Sequence, residues 1–222
     1  MKKNLQKLLC GNIKRLHNTI LKNQVISFDL FDTLISRQCI TPTEIFNIVE
    51  KQFNQKYTDN LKSFCQNRIN AEKEARRNSC NEEITLDEIY RHLGRFYDST
   101  KCHLLKELEI KAEIDQSHIR KDIIELYSQC LINKKTVFIT SDMYLSKSTI
   151  LKILEKNNIP LPNKLYLSSE KNKTKKNGTL FQLILKENQL EPNQVLHIGD
   201  NFKSDFISPR KLNINAFWIN KE

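Results

Sequence analysis

Residues 25–34, Val-Ile-Ser-Phe-Asp-Leu-Phe-Asp-Thr-Leu, decide how the chain is interpreted, because an apolar run here ends abruptly on a carboxylate. Val25, Ile26 and Phe28 predict a buried strand, since parallel strands that are covered on both faces are continuously apolar. Asp29 would then stand at the carboxyl end of that strand, where open α/β sheets bind their ligands. Taken alone, the stretch leaves one alternative open, a solvated aspartate in a turn.

The second half of the chain repeats this pattern of apolar runs and short helices. The expected strands are 136–140, 165–167, 195–198 and 216–219. Helical periodicity begins near Ser146 and near Gly178, between these runs. Strands that alternate with short helices predict an α/β fold with a doubly wound parallel sheet and right-handed crossovers.

The segment between the first strand and this second half carries helical patterns only. Thr41–Glu44 and Thr85–Glu88 match the capping box that opens a helix, and a last helix is expected from about Leu104 to Cys130. We therefore expect an all-α block, 37–130, inserted after the first strand. The α/β core would comprise residues 23–36 and 131–222.

Three charged residues in this block, Arg68, Glu72 and Arg76, lie one helical turn apart. They could face a ligand site, or they could form a solvated ladder of ion pairs at i,i+4 spacing. The sequence leaves both interpretations open.

Polar groups follow the predicted strands in a fixed order. They are Asp29 with Asp32 and Thr33, then Thr140-Ser141-Asp142, then Lys175, and finally Gly199-Asp200 with Asp205. In this order they resemble the four motifs of the haloacid dehalogenase-like (HAD) hydrolase superfamily, and the helical block resembles its cap. The phrases FDLFDTLISR, ITLDEIY, TSDMYL and KNGTLF are most similar to a poorly characterised branch whose members often occur with surface-polysaccharide and glycosyltransferase functions.

The resemblance implies a nucleophile and a set of groups around the substrate. Asp29 would form a covalent aspartyl intermediate, which divides one difficult displacement into two steps. Ser141 would donate to the transferring group, while Lys175 would neutralise its charge and keep Asp29 ionised. Thr33 and Asp142 complete the expected substrate-binding set. Lys175 is chosen by its spacing to the following helix, although a run of lysines is usually a solvated face.

The resemblance also implies a metal site for Mg²⁺. Its expected ligands are Asp29, the backbone carbonyl of Phe31, Asp200 and Asp205. Physics favours a cation here, because two like charges about 4 Å apart repel by about 4 kcal/mol at an effective dielectric constant of about 20. A hard divalent cation removes that repulsion and bridges to phosphate oxygens.

One position departs from the pattern of the superfamily's phosphatases. They carry a second aspartate two residues after the nucleophile as general acid and base, and here that residue is Phe31. A positioned acid or base contributes roughly 10²–10⁴-fold in rate. Three explanations stay open: Asp32 serves as the acid, a cap residue supplies it, or the leaving group needs no proton.

Three functions are therefore compatible with the sequence. The first is a Mg²⁺-dependent phosphatase acting on a small phosphorylated metabolite such as a sugar phosphate. The second, indicated by Phe31, is metal-independent displacement at carbon, as in haloacid dehalogenation. The third is a non-catalytic module that binds a phosphorylated ligand or a partner.

Composition limits the remaining possibilities. The 222 residues suffice for one α/β domain with an insertion, and 4 Gly and 5 Pro leave no flexible linker between independent modules. The net charge of +10 favours an anionic ligand. Because the lysines and arginines are scattered and lack interleaved aromatic residues, we expect a small anionic substrate and no nucleic acid.

The cysteines and the N-terminal residues bear on compartment and partners. Six cysteines without C-x-x-C spacing indicate reduced thiols, and no run approaches a membrane span or a leader, so we expect a cytoplasmic protein. Residues 1–22 predict an amphipathic basic helix. It could pack on its own domain or a partner protein, or lie on an anionic membrane surface. The oligomeric state is not predictable from the sequence.

Overall fold

The computed structural model describes residues 13–39, 41–57 and 60–220, and these form two compact units. The first unit contains residues up to Ser36 together with 119–143 and the residues from Ile159 onward. The second contains residues 37–118 and 144–158. The predicted N-terminal helix is described only in part, as α1 (Ile13–Leu21), and residues 1–12 lie outside the described residues.

A five-stranded parallel sheet forms the centre of the first unit. Its strands are β1 (Val25–Phe28), β4 (Thr136–Ser141), β5 (Lys164–Leu167), β6 (Val195–Gly199) and β7 (Asn215–Trp218). The strand order is β5-β4-β1-β6-β7, so the first strand lies in the middle. β1 and β6 are buried at every position, as a central parallel strand requires. This confirms the predicted α/β class with a doubly wound parallel sheet.

Short helices join these strands. They are α6 (Lys121–Ile132), α8 (Ser168–Lys171), α9 (Thr179–Asn188) and α10 (Ser208–Lys211). α9 buries Leu180, Phe181 and Ile184 in a cluster with Phe138 of β4 and Tyr166 of β5. The apolar face of α9 therefore covers this part of the sheet.

The second unit is helical. Its helices are α2 (Glu44–Lys56), α3 (Phe64–Asn78), α4 (Leu86–Leu93), α5 (Ser99–Gln116) and α7 (Lys147–Lys156). The predicted capping box at Thr85 is present, because its hydroxyl accepts from the Glu88 backbone N–H and the Glu88 carboxylate accepts from Thr85 N. The capping box expected at Thr41–Glu44 is wrong: α2 begins after Thr43, whose side chain makes no cap hydrogen bond.

The single helix expected from Leu104 to Cys130 is also wrong. α5 ends at Gln116, β3 (Ser117–Ile119) follows, and α6 begins at Lys121. β3 pairs with β2 (Ile35–Arg37) in a two-stranded sheet. Two backbone hydrogen bonds of 3.0 Å, Gln38 N to Gln116 O and Arg120 N to Leu34 O, flank this pairing. Three residues are too few for a period-2 pattern to stand out from the neighbouring helices.

The observed units also differ from the predicted division at residue 130. Residues 119–130 belong to the sheet unit, where Tyr127 of α6 packs edge-on against Phe28 with ring centroids 5.4 Å apart. Residues 144–158 belong to the helical unit, where Asn157 Nδ2 donates to Ser117 Oγ over 2.8 Å. The chain thus contributes two segments to the helical unit, and periodicity alone does not reveal the second.

Arg68, Glu72 and Arg76 of the helical unit form ion pairs. Glu72 accepts from Arg68 at 3.1 Å and from Arg76 at 3.0 Å, as the ladder interpretation expected. Arg68, however, is fully buried, and its guanidinium makes a bidentate pair of 2.7 and 2.8 Å with the buried Glu109. The ladder is therefore solvated at its Arg76 end only.

Candidate active site

The carboxyl ends of the central strands surround a cleft of about 450 Å³ within the sheet unit. The lining residues are Asp29, Phe31, Asp32, Ser141, Asp142, Lys175, Lys176, Asp200, Asn201, Lys203, Ser204 and Asp205. All the site residues expected from the sequence line this cleft except Thr33. The topology explains the convergence, because β4, β1 and β6 are neighbours and their ends meet at one edge of the sheet.

Three carboxylates that line the cleft, those of Asp29, Asp200 and Asp205, form an acidic cluster. One oxygen each from Asp29, Asp200 and Asp205 can be chosen so that all lie within 4.8 Å of one another. Thr33, fully buried, places its hydroxyl 3.4 Å from Asp29 Oδ2 and 3.4 Å from Asp200 Oδ1. Thr33 thus contacts the carboxylates, and its expected contact with substrate stays a prediction.

Lys175 neutralises part of this negative charge. Its Nζ lies 2.5 Å from Asp29 Oδ1 and 2.6 Å from Asp205 Oδ1. Burial by itself would favour the neutral amine, but Asp205 and Asp29 raise the pKa of Lys175 above its usual value, so it stays an ammonium group. The lysine selected by spacing is therefore the one that reaches the carboxylates.

The two carboxylates that share Lys175 respond differently to burial. Burial raises the pKa of Asp29 well above its usual value, with Asp205 and Asp200 adding to the effect and Lys175 opposing it. Burial acts in the same direction on Asp205, but Lys175 and a hydrogen bond from His197 hold the pKa of Asp205 below its usual range. Of these two carboxylates, Asp29 is therefore the one whose ionisation an added cation would favour more.

The Lys175 loop is held by Asp142. The Asp142 carboxylate accepts from the backbone N–H of Lys175 at 2.7 Å and from that of Lys176 at 3.2 Å. These contacts explain how a loop residue can present a buried ammonium group in a fixed place. The substrate contact expected for Asp142 stays a prediction, as does that of the buried Ser141 at the end of β4.

The loop after β6 is organised around Asn201. Its side-chain oxygen accepts from Lys203 N at 3.0 Å and Ser204 N at 3.2 Å, capping a π-helical turn, Phe202–Ile207. Asn201 N donates to Asp205 Oδ2 over 2.9 Å, and the turn directs Asp205 back toward the strand ends. Asn is one of the preferred residues at a helix N-cap, so the sequence does contain a signal for this turn.

Phe31 and Asp32 occupy the turn after Asp29. Asp32 adopts a left-handed backbone conformation with φ of 58°, and its carbonyl accepts from Arg120 Nη1 at 2.8 Å. The same nitrogen donates to Asn220 O at 2.9 Å. Arg120 is 4% exposed and anchors this turn, a role that nothing in the local sequence around residue 120 predicts.

The donor chemistry of the cluster suits a hard divalent cation. Asp29, Asp200 and Asp205 offer oxygen ligands only, and no cysteine or histidine joins this group among the described residues. Mg²⁺ is bound through one or two carboxylates while it keeps several waters. The residues therefore fit Mg²⁺, which Asp29, Asp200 and Asp205 would hold.

Comparison with known proteins bears on the fold. No family model matches the chain, and no curated protein matches it either. Solved structures do match over most of its length. The HAD-hydrolase YfnB of Bacillus subtilis, solved with magnesium bound, has a TM-score of 0.61 at 15% identity, covering 88% of each chain.

Two further structures match over a similar span. A 2-haloacid dehalogenase of Pseudomonas syringae gives a TM-score of 0.63 at 11% identity, covering 88% of this chain and 86% of that one. A HAD family enzyme of Bacteroides thetaiotaomicron, in complex with magnesium and inorganic phosphate, gives 0.57 at 17% identity, covering 88% and 93%. This chain has the HAD-like fold. The fold expected from the four motifs is thus confirmed, whereas the glycosyltransferase-associated branch stays a prediction.

Within this HAD-like fold, sequence reasoning missed one buried polar group on β6. His197 is fully buried, and its Nε2 lies 3.2 Å from Asp205 Oδ1. Burial lowers the pKa of His197, so the ring is neutral. The available signal was a polar residue inside an apolar strand, at the register position opposite Ser27 of β1.

The remaining structural findings concern thiols and membrane contact. The cysteines among the described residues, Cys39, Cys65, Cys80, Cys102 and Cys130, form no disulfide. In the part of the chain that the structure describes, every helix is too short or too polar to cross a bilayer.

Proposed function

We propose that this chain is a Mg²⁺-dependent hydrolase that releases phosphate from a small phosphorylated metabolite, such as a sugar phosphate, with Asp29 as nucleophile. The observation that carries the proposal is the position of Asp29, whose carboxylate lies beside those of Asp200 and Asp205 and 2.5 Å from Lys175 Nζ. With a cation bound beside it, a carboxylate in these surroundings would be held ionised and could attack an anionic substrate. The phosphate bound to the HAD family enzyme of Bacteroides thetaiotaomicron lends further support.

In the proposed reaction, a carboxylate oxygen of Asp29 attacks phosphorus and the ester P–O bond breaks. The leaving oxygen takes a proton and departs as an alcohol. Water then attacks the phosphoryl group, the aspartyl–phosphate bond breaks, and inorganic phosphate leaves with Asp29 regenerated as a carboxylate. Mg²⁺, when bound, would offset the negative charge shared by phosphate and carboxylates.

The chain's own residues have separate tasks in these steps. Lys175 reduces the repulsion between Asp29 and an incoming phosphate, and Ser141 offers a hydroxyl at the end of β4. Asp32 lines the cleft but neither belongs to the acidic cluster nor, as Asp142 does, holds the Lys175 loop, and it is our candidate for the group that gives and takes the proton. It replaces the aspartate that the usual motif carries at the position of Phe31.

Phosphate release from a broad panel of phosphomonoesters tests this proposal. Wild-type protein with Mg²⁺ should hydrolyse at least one of them, chelation should abolish turnover, and Asp29→Asn should lower kcat by roughly 10³-fold or more. Asp29→Asn keeps the side chain's size, so its thermal unfolding curve controls for folding. Folded, Mg²⁺-binding wild-type protein that hydrolyses no phosphomonoester would refute the proposal.

A second candidate is metal-independent displacement of halide from carbon. Phe31 favours it, because an aromatic side chain lines the cleft where phosphatases of this superfamily carry a carboxylate. Halide release from 2-haloacids in the presence of a chelator would support this candidate. If folded protein binds Mg²⁺ and catalyses neither reaction, the remaining hypothesis is a non-catalytic module that binds a phosphorylated ligand.

A further inference from the structure

A chain of buried polar side chains crosses the sheet beneath the cleft. Thr140 Oγ1 lies 2.8 Å from Ser27 Oγ, which lies 2.8 Å from His197 Nδ1, and His197 Nε2 lies 3.2 Å from Asp205 Oδ1. All four residues are fully buried. They come from β4, β1, β6 and the turn after β6, so the chain ties three neighbouring strands to one carboxylate of the acidic cluster.

The donor and acceptor inventory assigns one direction to these hydrogen bonds. The Asp205 carboxylate only accepts, so His197 Nε2 carries the hydrogen that it donates to Asp205. Nδ1 of a neutral ring then accepts from the Ser27 hydroxyl. Because that hydroxyl has a single hydrogen, Ser27 accepts in turn from Thr140. Every member is satisfied, which is the condition under which a buried polar network fixes one arrangement.

The contacts of Asp205 show what this arrangement fixes. Oδ1 receives Lys175 Nζ at 2.6 Å, His197 Nε2 at 3.2 Å and Ser204 Oγ at 3.4 Å. Among the residues that the structure describes, Oδ2 receives the backbone N–H of Asn201 alone, at 2.9 Å. Since the two oxygens of a carboxylate offer about four lone-pair positions in all, the remaining capacity of Asp205 lies on Oδ2.

We infer that His197 is a positioning residue that holds Asp205 by Oδ1 and thereby leaves Oδ2 to serve the cation or a water bound to it. The inference rests on the proposed function, because it assigns His197 a task in Mg²⁺ binding. Apolar side chains at positions 27 and 197 would fill the sheet interior and would need no hydrogen-bond partners. Ser27 and His197 instead interrupt the apolar pattern of two neighbouring strands at paired register positions, which indicates that the acidic cluster requires them.

Two substitutions at position 197 distinguish the role of Nε2 from that of Nδ1. Glutamine extends its amide nitrogen to about the place of Nε2 and retains the donor to Asp205, whereas asparagine reaches only the place of Nδ1. His197→Asn should therefore weaken Mg²⁺ binding about 10- to 100-fold, the usual effect of removing a group that orients a metal ligand. His197→Gln should recover most of the affinity.

The readout is the Mg²⁺ dissociation constant from calorimetric titration, measured beside thermal unfolding. Ser27→Ala, which removes the donor to Nδ1 with little change in volume, should give a smaller loss in the same direction. Tyr166→Phe is the matched control. It removes a hydroxyl from the same sheet, one that accepts a hydrogen bond from Asn188 Nδ2 over 2.8 Å, and it leaves the acidic cluster untouched. Its Mg²⁺ affinity should equal that of wild type.

The possible outcomes distinguish this inference from the proposed function. If both variants at position 197 and Ser27→Ala bind Mg²⁺ as wild type does, the inference is overturned and the proposed function stands. If His197→Asn and His197→Gln lose equal affinity in proportion to their loss of thermal stability, His197 has a structural role only. If wild type binds Mg²⁺ and shows the expected pattern yet hydrolyses no phosphomonoester, the inference stands and the proposed function fails. Wild-type protein that binds no Mg²⁺ overturns both.

Discussion

Gly199 and Asp205 are packed so closely that a side chain at position 199 would displace one carboxylate of the acidic cluster. A β-carbon built on Gly199 would lie 2.5 Å from both Cγ and Oδ2 of Asp205, closer than any real contact of that kind. Asp205 must therefore move if any side chain is added. The glycine at this strand end is required by this close approach, independent of turn geometry.

The first prediction follows from this contact. Gly199→Ala should displace the Asp205 carboxylate and weaken Mg²⁺ binding about 10-fold or more, since ligand orientation sets affinity. Gly94→Ala is the control, because its β-carbon would lie in the helical unit, 3.2 Å from the carbonyl oxygen of Arg91 and 4.0 Å from that of Tyr90. Calorimetric titration with Mg²⁺ measures both. Equal affinities for the two variants would contradict the packing argument.

Asp32 is the subject of the second prediction. If it exchanges the proton with the leaving oxygen, Asp32→Asn should lower kcat by roughly 10²–10⁴-fold while Mg²⁺ affinity changes little. The Asp32 carbonyl, held by Arg120, is kept in the variant, so the turn itself should persist. Steady-state kinetics on the best phosphomonoester provide the measurement. A variant with wild-type kcat would exclude Asp32 and leave a residue of the helical unit, or a leaving group that needs no proton.

At the scale of single residues, the sequence predicts the polar residues that directly follow a strand. Asp29 and Asp200 are identifiable because parallel strands bring their carboxyl ends to one edge. Arg120 is not, because its partners, the carbonyls of Asp32 and Asn220, are distant in sequence. Asn201 and His197 do leave a signal, a cap residue and a polar residue in an apolar strand, but neither signal reveals that the residue contacts Asp205. Spacing identifies Lys175, but the pair of contacts it makes with Asp29 and Asp205 could not be derived from the surrounding lysines.

Among the elements, helix α3 carries a fully buried charge in the helical unit. The Arg68 guanidinium is fully buried, pairs with Glu109, and lies 4.5 Å from the centre of the Phe46 ring. The hydroxyl of Tyr90 also donates to Glu109, over 2.8 Å. A buried charge pair of this kind contributes to stability only while both partners remain.

The third prediction concerns this pair. Arg68→Met should lower the free energy of unfolding by about 3–5 kcal/mol, because Glu109 is then left as an uncompensated buried charge. Arg95→Met is the matched control: Arg95 pairs with Glu74 at 2.7 Å but its side chain is 61% exposed, so the loss should be at most about 1 kcal/mol. Urea unfolding of both variants decides. Similar losses would show that burial does not govern the Arg68 pair.

Element boundaries were predictable where a local signal marks them. Thr85 opens α4 with a capping box, and Ser146 caps α7 through Thr149 N, so both starts are legible in the sequence. The break between α5 and α6 has no such signal, because β3 exists only through its pairing with β2. Long-range pairing therefore overrides the continuous helical periodicity of that segment.

For the whole molecule, Mg²⁺ binding should be coupled to protons. Burial and the neighbouring carboxylates raise the pKa of Asp29, so at mildly acidic pH a proton competes with the cation for this group. The affinity for Mg²⁺ should consequently rise as the pH rises from the usual range of an aspartate through the raised pKa of Asp29, and level off above it. Asp205 adds no such dependence at these pH values, because its pKa is depressed.

Calorimetric titrations in buffers that differ in ionisation enthalpy measure this fourth prediction. Wild-type protein should release protons on binding Mg²⁺ at mildly acidic pH and few at alkaline pH. Asp29→Asn removes the titrating group, so any binding it retains should lose most of this proton release. A wild-type affinity that is independent of pH over this range would contradict the prediction that Asp29 has a raised pKa and ligates the cation.

At the scale of the molecule, the sequence predicts the α/β architecture and the insertion of helices after the first strand, because periodicity and strand-end chemistry agree. It does not predict that residues 144–158 join the helical unit, since α7 is an ordinary amphipathic helix by pattern. Which unit such a helix joins is decided by contacts such as Asn157 with Ser117, which are distant in sequence.

The claim that Asp29, Asp200 and Asp205 form one divalent cation site is tested most directly by diffraction from crystals grown with Mn²⁺, which prefers the same oxygen ligands as Mg²⁺ and scatters anomalously. We expect a single strong anomalous peak in the cleft, within coordination distance of Asp29 and Asp200, and its loss in Asp200→Ala crystals grown under the same conditions. A map with no peak between these carboxylates, or with an unchanged peak in the variant, would contradict the account.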